Sequence, residues 1–241
     1  MKNERKRTAH AMRRPFFSIQ PEAILWDVDD TLLDFTRCSQ QALARACTRF
    51  SLPFDQTMYQ TYRAVDDALW QAQRAGQCTV AFVMQTRFAH WFARLGIAAD
   101  DRAFSQAYAQ ELACTHIREP YALETLAQLS KHIPLYAASN GIHAMQMQRL
   151  QRAGLLPFLS DVFVSDVLGY EKPDVRFFHA CLHRMGKTAN PAIWMIGDSL
   201  TADVEGAKRA GLSACWYARH AVPDAGGYAG TVVLDLRACI D

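Results

Sequence analysis

The sequence predicts an α/β fold: a doubly wound, Rossmann-like parallel sheet with an inserted α-helical bundle acting as a cap. Three observations lead there. Six short apolar runs of β type recur along the chain, with helical stretches between them. One long interval, between Phe35 and Glu119, breaks that rhythm with helical periodicity alone. Finally, acidic, hydroxyl and lysine side chains follow the ends of four of the runs.

The apolar runs are Ala23–Trp26, Ile133–Ala138, Asp161–Ser165, Ala192–Ile196, Ser213–Tyr217 and Thr231–Leu234. Runs this short, bounded by turn residues, read as strands buried on both faces of a parallel sheet. The intervening helices have stop signals. HAMQMQRLQRAG ends at Gly154, and TADVEGAKRAG at Gly211. KPDVRFFHACLHRMG has Pro173 at an early helical position and Gly186 just past its end. Strand–helix alternation implies an open doubly wound sheet.

The interrupting interval reads as four helices, Gln41–Phe50, Thr57–Ala75, Thr79–Leu95 and Arg102–His116. Thr79 fits an N-cap and Gly96 a stop. A bundle inserted straight after the first strand sits over that strand's C-terminal end, where open α/β sheets bind ligands. It therefore reads as a lid. The division follows: a basic, poorly ordered leader over 1–20, a core over 21–36 and 118–241, and a cap over 37–117.

Half of the 241 residues are hydrophobic, enough for a sizeable core. A net charge of +2 gives no bulk electrostatic case for nucleic acid. The basic cluster MKNERKRTAHAMRRP reads as a tail rather than a nucleic-acid arm. No run approaches the roughly 18 apolar residues of a membrane span, and no secretory signal is visible. A cytoplasmic protein, monomeric or weakly dimeric, is expected. The seven cysteines are odd in number and never in CxxC, which suits small core residues in a reducing compartment. His179 and His183 have a metal-binding i, i+4 spacing but no third ligand, so they read as a solvated helix face.

The chemistry gathers at the strand ends. WDVDDTLLD follows the first run, and in an extended chain Asp27 and Asp29 point the same way. Two converging carboxylates attract a divalent cation, and oxygen ligands of this kind suit magnesium. The second run leads into Ser139, Asn140 and Gly141, whose hydroxyl and backbone N–H groups could hold an anion or merely cap a helix. Lys172 follows the third run, as a surface lysine or a charge beside a nucleophile. Asp198 leaves the fourth directly, and Asp203 opens the next helix. Each feature is modest alone; all of them on one sheet edge are not.

In this order DVDDT, SNG, EKP and GDSLTAD resemble the four motifs of the haloacid dehalogenase (HAD) superfamily, over roughly residues 22–235. DVDDTLLDF, ALWQAQRAGQ, PFLSDVFVSD and GDSLTADVEGAKRAGLSACW further resemble the YjjG/YfnB type of pyrimidine 5′-nucleotidase. The resemblance implies a Mg²⁺-dependent phosphatase of small phosphate monoesters that works through an aspartyl-phosphate. It implies Asp27 as nucleophile, Asp29 as general acid/base and Lys172 as a point charge. Ser139 and the Asn140 N–H would bind the phosphoryl oxygens. Asp27, the Asp29 carbonyl and Asp198 would hold the metal, with Asp203 supporting and Thr31 shaping the turn. Superfamily dehalogenases lack the second Asp, since a departing halide needs no proton, so Asp29 favours ester hydrolysis. Asp30 is expected to brace the turn and Asp34 to anchor the hinge. Trp70, Arg87, Phe88 and Trp91 are candidate walls of a nucleobase pocket. Alternatives are a phosphoglycolate- or sugar-phosphate-type phosphatase of the same superfamily, or a catalytically silent binding module.

Overall fold

The computed structural model describes residues 16, 17, 19–219 and 228–240. Most of the expected leader, residues 1–15, lies outside the described residues, but its end does not. Phe16 and Phe17 pack on Trp194, with ring centroids 6.2 and 5.2 Å away. Among the described residues no helix is long and apolar enough to cross a membrane.

Six parallel strands form the sheet: β1 (Ala23–Trp26), β2 (Leu135–Ser139), β3 (Asp161–Val164), β4 (Ile193–Gly197), β5 (Ser213–Tyr217) and β6 (Thr231–Val233). Their order is β3-β2-β1-β4-β5-β6. The chain reverses its winding direction between β1 and β4, the place where such sheets open a crevice. Side chains alternate between two buried clusters: Ile24 and Trp26 face one, Ala23 and Leu25 the other. Helices therefore cover both faces, as the apolar runs require. Trp26 pairs with Ala137 and with Ile196, so the C-terminal ends of β1, β2 and β4 lie level.

The cap is four helices: α1 (Phe35–Arg49), α2 (Gln56–Arg74), α3 (Val80–Leu95) and α4 (Asp101–Cys114). Helix α1 begins well before the expected Gln41, because Asp34 caps it by accepting from the Arg37 N–H at 2.8 Å. Thr79 caps α3, and Gly96 ends it in the left-handed region at φ 66°. Tyr62, Phe88, Trp91, Phe104 and Tyr108 fill the bundle core.

The core continues with α5 (Ala122–Leu129), α6 (His143–Arg152), α7 (Ser165–Leu168), α8 (Val175–Met185) and α9 (Gly206–Arg209). Pro173 stands outside α8 rather than in its first turn, because Asp174 is the cap, accepting from Arg176 N–H at 2.9 Å. His179 and His183 are exposed on α8. The helix expected over TADVEGAKRAG starts instead as a π-helical turn, Leu200–Glu205.

The two connections between core and cap pair with each other. Asp34 N–H donates to Ile117 O at 2.9 Å, and Glu119 N–H to Leu32 O at 3.0 Å. Arg219 clasps this ribbon from the core, 2.8 Å from Asp30 Oδ1, 2.5 Å from Asp34 Oδ2 and 2.8 Å from Glu119 Oε1. Asp30 also accepts from Thr36 N–H at 3.1 Å and takes a positive φ of 58°. Burial pushes Glu119 up to about 7, against the pull of Arg219. Replacing Arg219 by Met leaves these carboxylates facing one another without a cation. At pH 8, Arg219→Met should lower stability by about 3 kcal/mol in urea unfolding, the low end for a broken buried pair. A change below about 0.5 kcal/mol, the size of an ordinary surface substitution, would show that the ribbon holds without the clasp.

Candidate active site

Asp27 continues β1, its N–H bonded to Ile196 O at 2.9 Å, so its carboxylate emerges at the crevice. Lys172 arrives from the loop after β3 and is almost wholly buried. Its Nζ donates to Asp27 Oδ1 at 2.7 Å, Asp203 Oδ1 at 2.6 Å and Ala138 O at 2.8 Å, using all three of its protons. The Asn140 side chain clamps the Lys172 backbone, donating to its carbonyl at 2.7 Å and accepting its N–H at 2.8 Å. That fixes the Asn140 amide against the Lys172 backbone, while its own backbone N–H stays apart from this clamp.

Asp203 sits inside the π-helical turn rather than opening a helix. Its second oxygen accepts from Ser199 N–H at 3.0 Å. A Cβ on Gly197 would collide with the Asp203 side chain, so the end of β4 must be glycine for Asp203 to reach Lys172. Asp198 follows, with its backbone carbonyl held by the Trp216 indole N–H at 2.8 Å.

Asp27, Asp198 and Asp203 bring one oxygen each within 4.8 Å of one another. Asp27 is raised to about 7, chiefly by burial and further by Asp203, against the pull of Lys172. Asp198 is driven well above the usual carboxylate range by burial and by Asp27. Burial alone would lower Lys172, yet Asp203 and Asp27 raise it. Three crowded carboxylates thus face one ammonium, and the Asp198 carboxylate accepts no hydrogen bond among the described residues. An all-oxygen set short of positive charge fits a hard divalent cation such as Mg²⁺. The second acidic cluster, Asp30, Asp34 and Glu119, already holds Arg219 as its cation.

Asp29 lines the same cavity but turns to α6. Its Oδ1 lies 2.5 Å from Arg149 Nη1, and its Oδ2 accepts from Gln146 Nε2 at 2.7 Å. Gln146 Nε2 also donates to Ser139 Oγ at 2.9 Å. Ser139 ends β2 and caps no helix, since α6 starts at His143 with Ile142 as its cap.

The cavity holds about 460 Å³ between the strand ends and the cap. Trp70, Gln73 and Arg87 line its cap side. Phe88 and Trp91 do not, which corrects the expectation for both. Phe88 is the next residue after Arg87, so its ring swings about 100° into the bundle and stacks 5.8 Å from Tyr62. Trp91 is spent on the Met58 carbonyl at 3.1 Å. Thr31 is also outside the cavity, fully buried with its hydroxyl unpaired among the described residues. Glu171 latches the cap: its carboxylate accepts from Gln73 Nε2 at 2.9 Å and from Val80 N–H at 2.8 Å, at the start of α3.

Gln146, Arg149, Gln73 and Glu171 were not singled out from the sequence. The available signal was polar residues at i, i+3 beside buried Leu150, on the helix that follows Ser139.

The haloacid dehalogenase-like hydrolase family matches residues 21–211. The HAD-hydrolase YfnB of Bacillus subtilis (strain 168) is 34% identical, over 80% of this chain and 82% of its own. The pyrimidine 5′-nucleotidase PynA of Streptococcus pneumoniae is 33% identical, over 82% of this chain and 84% of its own. The crystal structure of B. subtilis YfnB bound to magnesium superposes with a TM-score of 0.85, at 31% identity, covering 91% of this chain and 96% of that one.

The carboxylate cluster generates a binding prediction. Mg²⁺ at about 100 times its Kd should stabilise the folded chain by about 2.7 kcal/mol and raise Tm by about 5 °C or more. Asp198→Asn should lose most of that shift in thermal melts; an equal shift in the variant would place the cation elsewhere.

Proposed function

The chain belongs to the haloacid dehalogenase-like hydrolase family, and on that premise we propose that it is a magnesium-dependent phosphatase of nucleoside 5′-monophosphates, pyrimidine ones foremost. The observation that carries this reading is the Lys172 ammonium bridging Asp27 and Asp203 beside Asp198, with Asp29 on the same cavity.

Asp27 is the nucleophile. Its carboxylate attacks phosphorus and forms an aspartyl-phosphate, which water then hydrolyses. Two anions must approach for this to happen, and Lys172 places one positive charge between the carboxylate and the phosphate. Asp203 holds Lys172 at that point, and Gly197 makes room for it. Ser139 Oγ–H and the Asn140 backbone N–H serve the phosphoryl oxygens. Asp27, Asp198 and the Asp29 carbonyl would hold Mg²⁺, which when bound supplies charge neutralisation and alignment of the phosphoryl group. Asp29 gives a proton to the departing alkoxide and takes one from the attacking water.

The cap supplies the preference for a base. Trp70 offers an aromatic face at the cavity wall. Behind it lies a buried, loosely made ion pair, Arg87 Nη1 to Asp66 Oδ1 at 3.7 Å. Arg87 Nε, Asp66 Oδ1 and Gln73 Oε1 have no hydrogen-bond partner among the described residues. Arg87, Asp66 and Gln73 line the same cavity as Trp70, and together they bring donors and acceptors toward the polar edge of a pyrimidine, which presents both.

Asp27→Asn should lower turnover by about 10⁴-fold or more and abolish acid-stable labelling from ³²P substrate. Normal turnover in that variant would sink the mechanism. In a panel of UMP, dUMP, dTMP, ribose 5-phosphate and phosphoglycolate, the three nucleotides should lead in kcat/KM by about tenfold or more, and Arg87→Met should erase that lead. A sugar phosphate or phosphoglycolate at the top would replace the nucleotidase reading with another phosphatase.

A further inference from the structure

Arg149 is a guanidinium with no exposed surface, on a helix that could have placed a leucine there. A buried cation is costly unless paired, and replacing such pairs by apolar residues is often neutral or stabilising. Stability alone therefore does not explain it. Its Nη1 lies 2.5 Å from Asp29 Oδ1 and 3.0 Å from Gln146 Oε1, and its Nε 3.4 Å from Thr115 O at the end of α4. Gln146 is equally committed. Its carbonyl accepts from Arg149, and its amide donates to Asp29 Oδ2 at 2.7 Å and to Ser139 Oγ at 2.9 Å. Flipping the amide would put an oxygen against the Asp29 carboxylate and an NH₂ against a cation, so its orientation is fixed. Asp29 itself keeps nearly a third of its side chain exposed to the cavity.

We propose that Gln146 and Arg149 are positioning residues that make the two oxygens of Asp29 unequal: Arg149 anchors Oδ1, and Gln146 holds Oδ2 beside the phosphate cradle as the oxygen that carries the proton. The proposal rests on the phosphatase reading and extends it. Because Oδ2 and Ser139 Oγ share one amide, the acid and the phosphate-binding hydroxyl are set at a common distance. The Ser139 oxygen accepts from Gln146, which leaves its own O–H to donate into the cavity.

In the first step an Asp27 oxygen bonds to phosphorus while the ester P–O bond breaks. The bonding pair goes to the leaving oxygen, which takes the proton from Asp29 Oδ2. The new carboxylate stays paired with Arg149. In the second step water bonds to phosphorus and gives its proton to Oδ2. The Asp27 O–P bond then breaks, its pair returns to Asp27, and inorganic phosphate departs.

The test compares two ring-bearing esters, so that recognition of a nucleobase plays no part. p-Nitrophenyl phosphate loses a stabilised anion, whereas benzyl phosphate loses an alkoxide that needs the proton. With Mg²⁺ present, kcat/KM reports the first step. Arg149→Met and Gln146→Met should each depress benzyl phosphate more than p-nitrophenyl phosphate, raising the ratio of the two on the order of 10- to 100-fold. Arg149→Lys should recover part of it. Both rates come from one preparation, so a partly folded variant leaves the ratio intact. Should Arg149→Met not fold, Gln146→Met carries the comparison. An active wild type with unchanged ratios in the folded variants overturns the positioning role alone. A wild type inert on both esters overturns the phosphatase reading and this one together.

Discussion

One ammonium group organises the strand ends. Lys172 Nζ is out of water and spends its three protons on Asp27, Asp203 and the Ala138 carbonyl. A lysine so placed is tolerable only if its partners are placed equally well, because each unpaired buried charge costs several kcal/mol. The surrounding details answer to that demand. Asn140 fixes the Lys172 backbone on both sides. Gly197 gives up its Cβ so that Asp203 can approach. The π-helical turn carries Asp203 at a position where an ordinary α-turn was expected, in keeping with the frequency of such turns at functional sites.

The acidic run after β1 is then understood through its cations. Asp27 goes to Lys172, Asp29 to Arg149, and Asp30 and Asp34 to Arg219. Each cation comes from a different part of the chain: the loop after β3, helix α6 and the segment after β5. Repulsion among four close carboxylates is relieved by sending them in separate directions. The same division sorts them by work. The pair assigned to chemistry meets the cavity; of the pair meeting Arg219, Asp30 reaches the cavity wall while Asp34 caps the first helix of the cap.

The parts of this arrangement that were legible in the sequence were local or topological. Short apolar runs, Thr79, Gly96 and Gly186 mark elements through nearest-neighbour chemistry. Parallel strands put all their C-terminal ends on one edge, so Asp27, Ser139 and Asp198 could be gathered without knowing any distance. The less legible parts depend on which face of a helix turns inward. Arg149 in HAMQMQRLQRAG looks like any basic residue on an amphipathic helix, and Arg219 sits in no motif. Phe88 and Arg87 are neighbours, yet one fills the bundle and the other the cavity wall. Apolar spacing cannot tell a bundle interior from a pocket wall, since both repel water. Helix starts shifted for a similar reason: Asp34 and Asp174 outcompeted Gln41 and Pro173 because a carboxylate satisfies the free N–H groups of a first turn.

A sheet edge with a carboxylate nucleophile does not by itself choose a reaction, since a fold hosts many chemistries. What distinguishes ester hydrolysis is the leaving group: an alkoxide needs a proton as it departs, and a halide does not. Here Asp29, Ser139 and the cap's return connection are joined through Gln146, Arg149 and Thr115. On the other side of the cavity, Glu171 joins the Lys172 loop to α2 and α3 of the cap. Both halves of the proposed chemistry are thus tied to the element that covers them. A cap that closed in a different place would disturb Asp29 through Thr115 and Lys172 through Glu171.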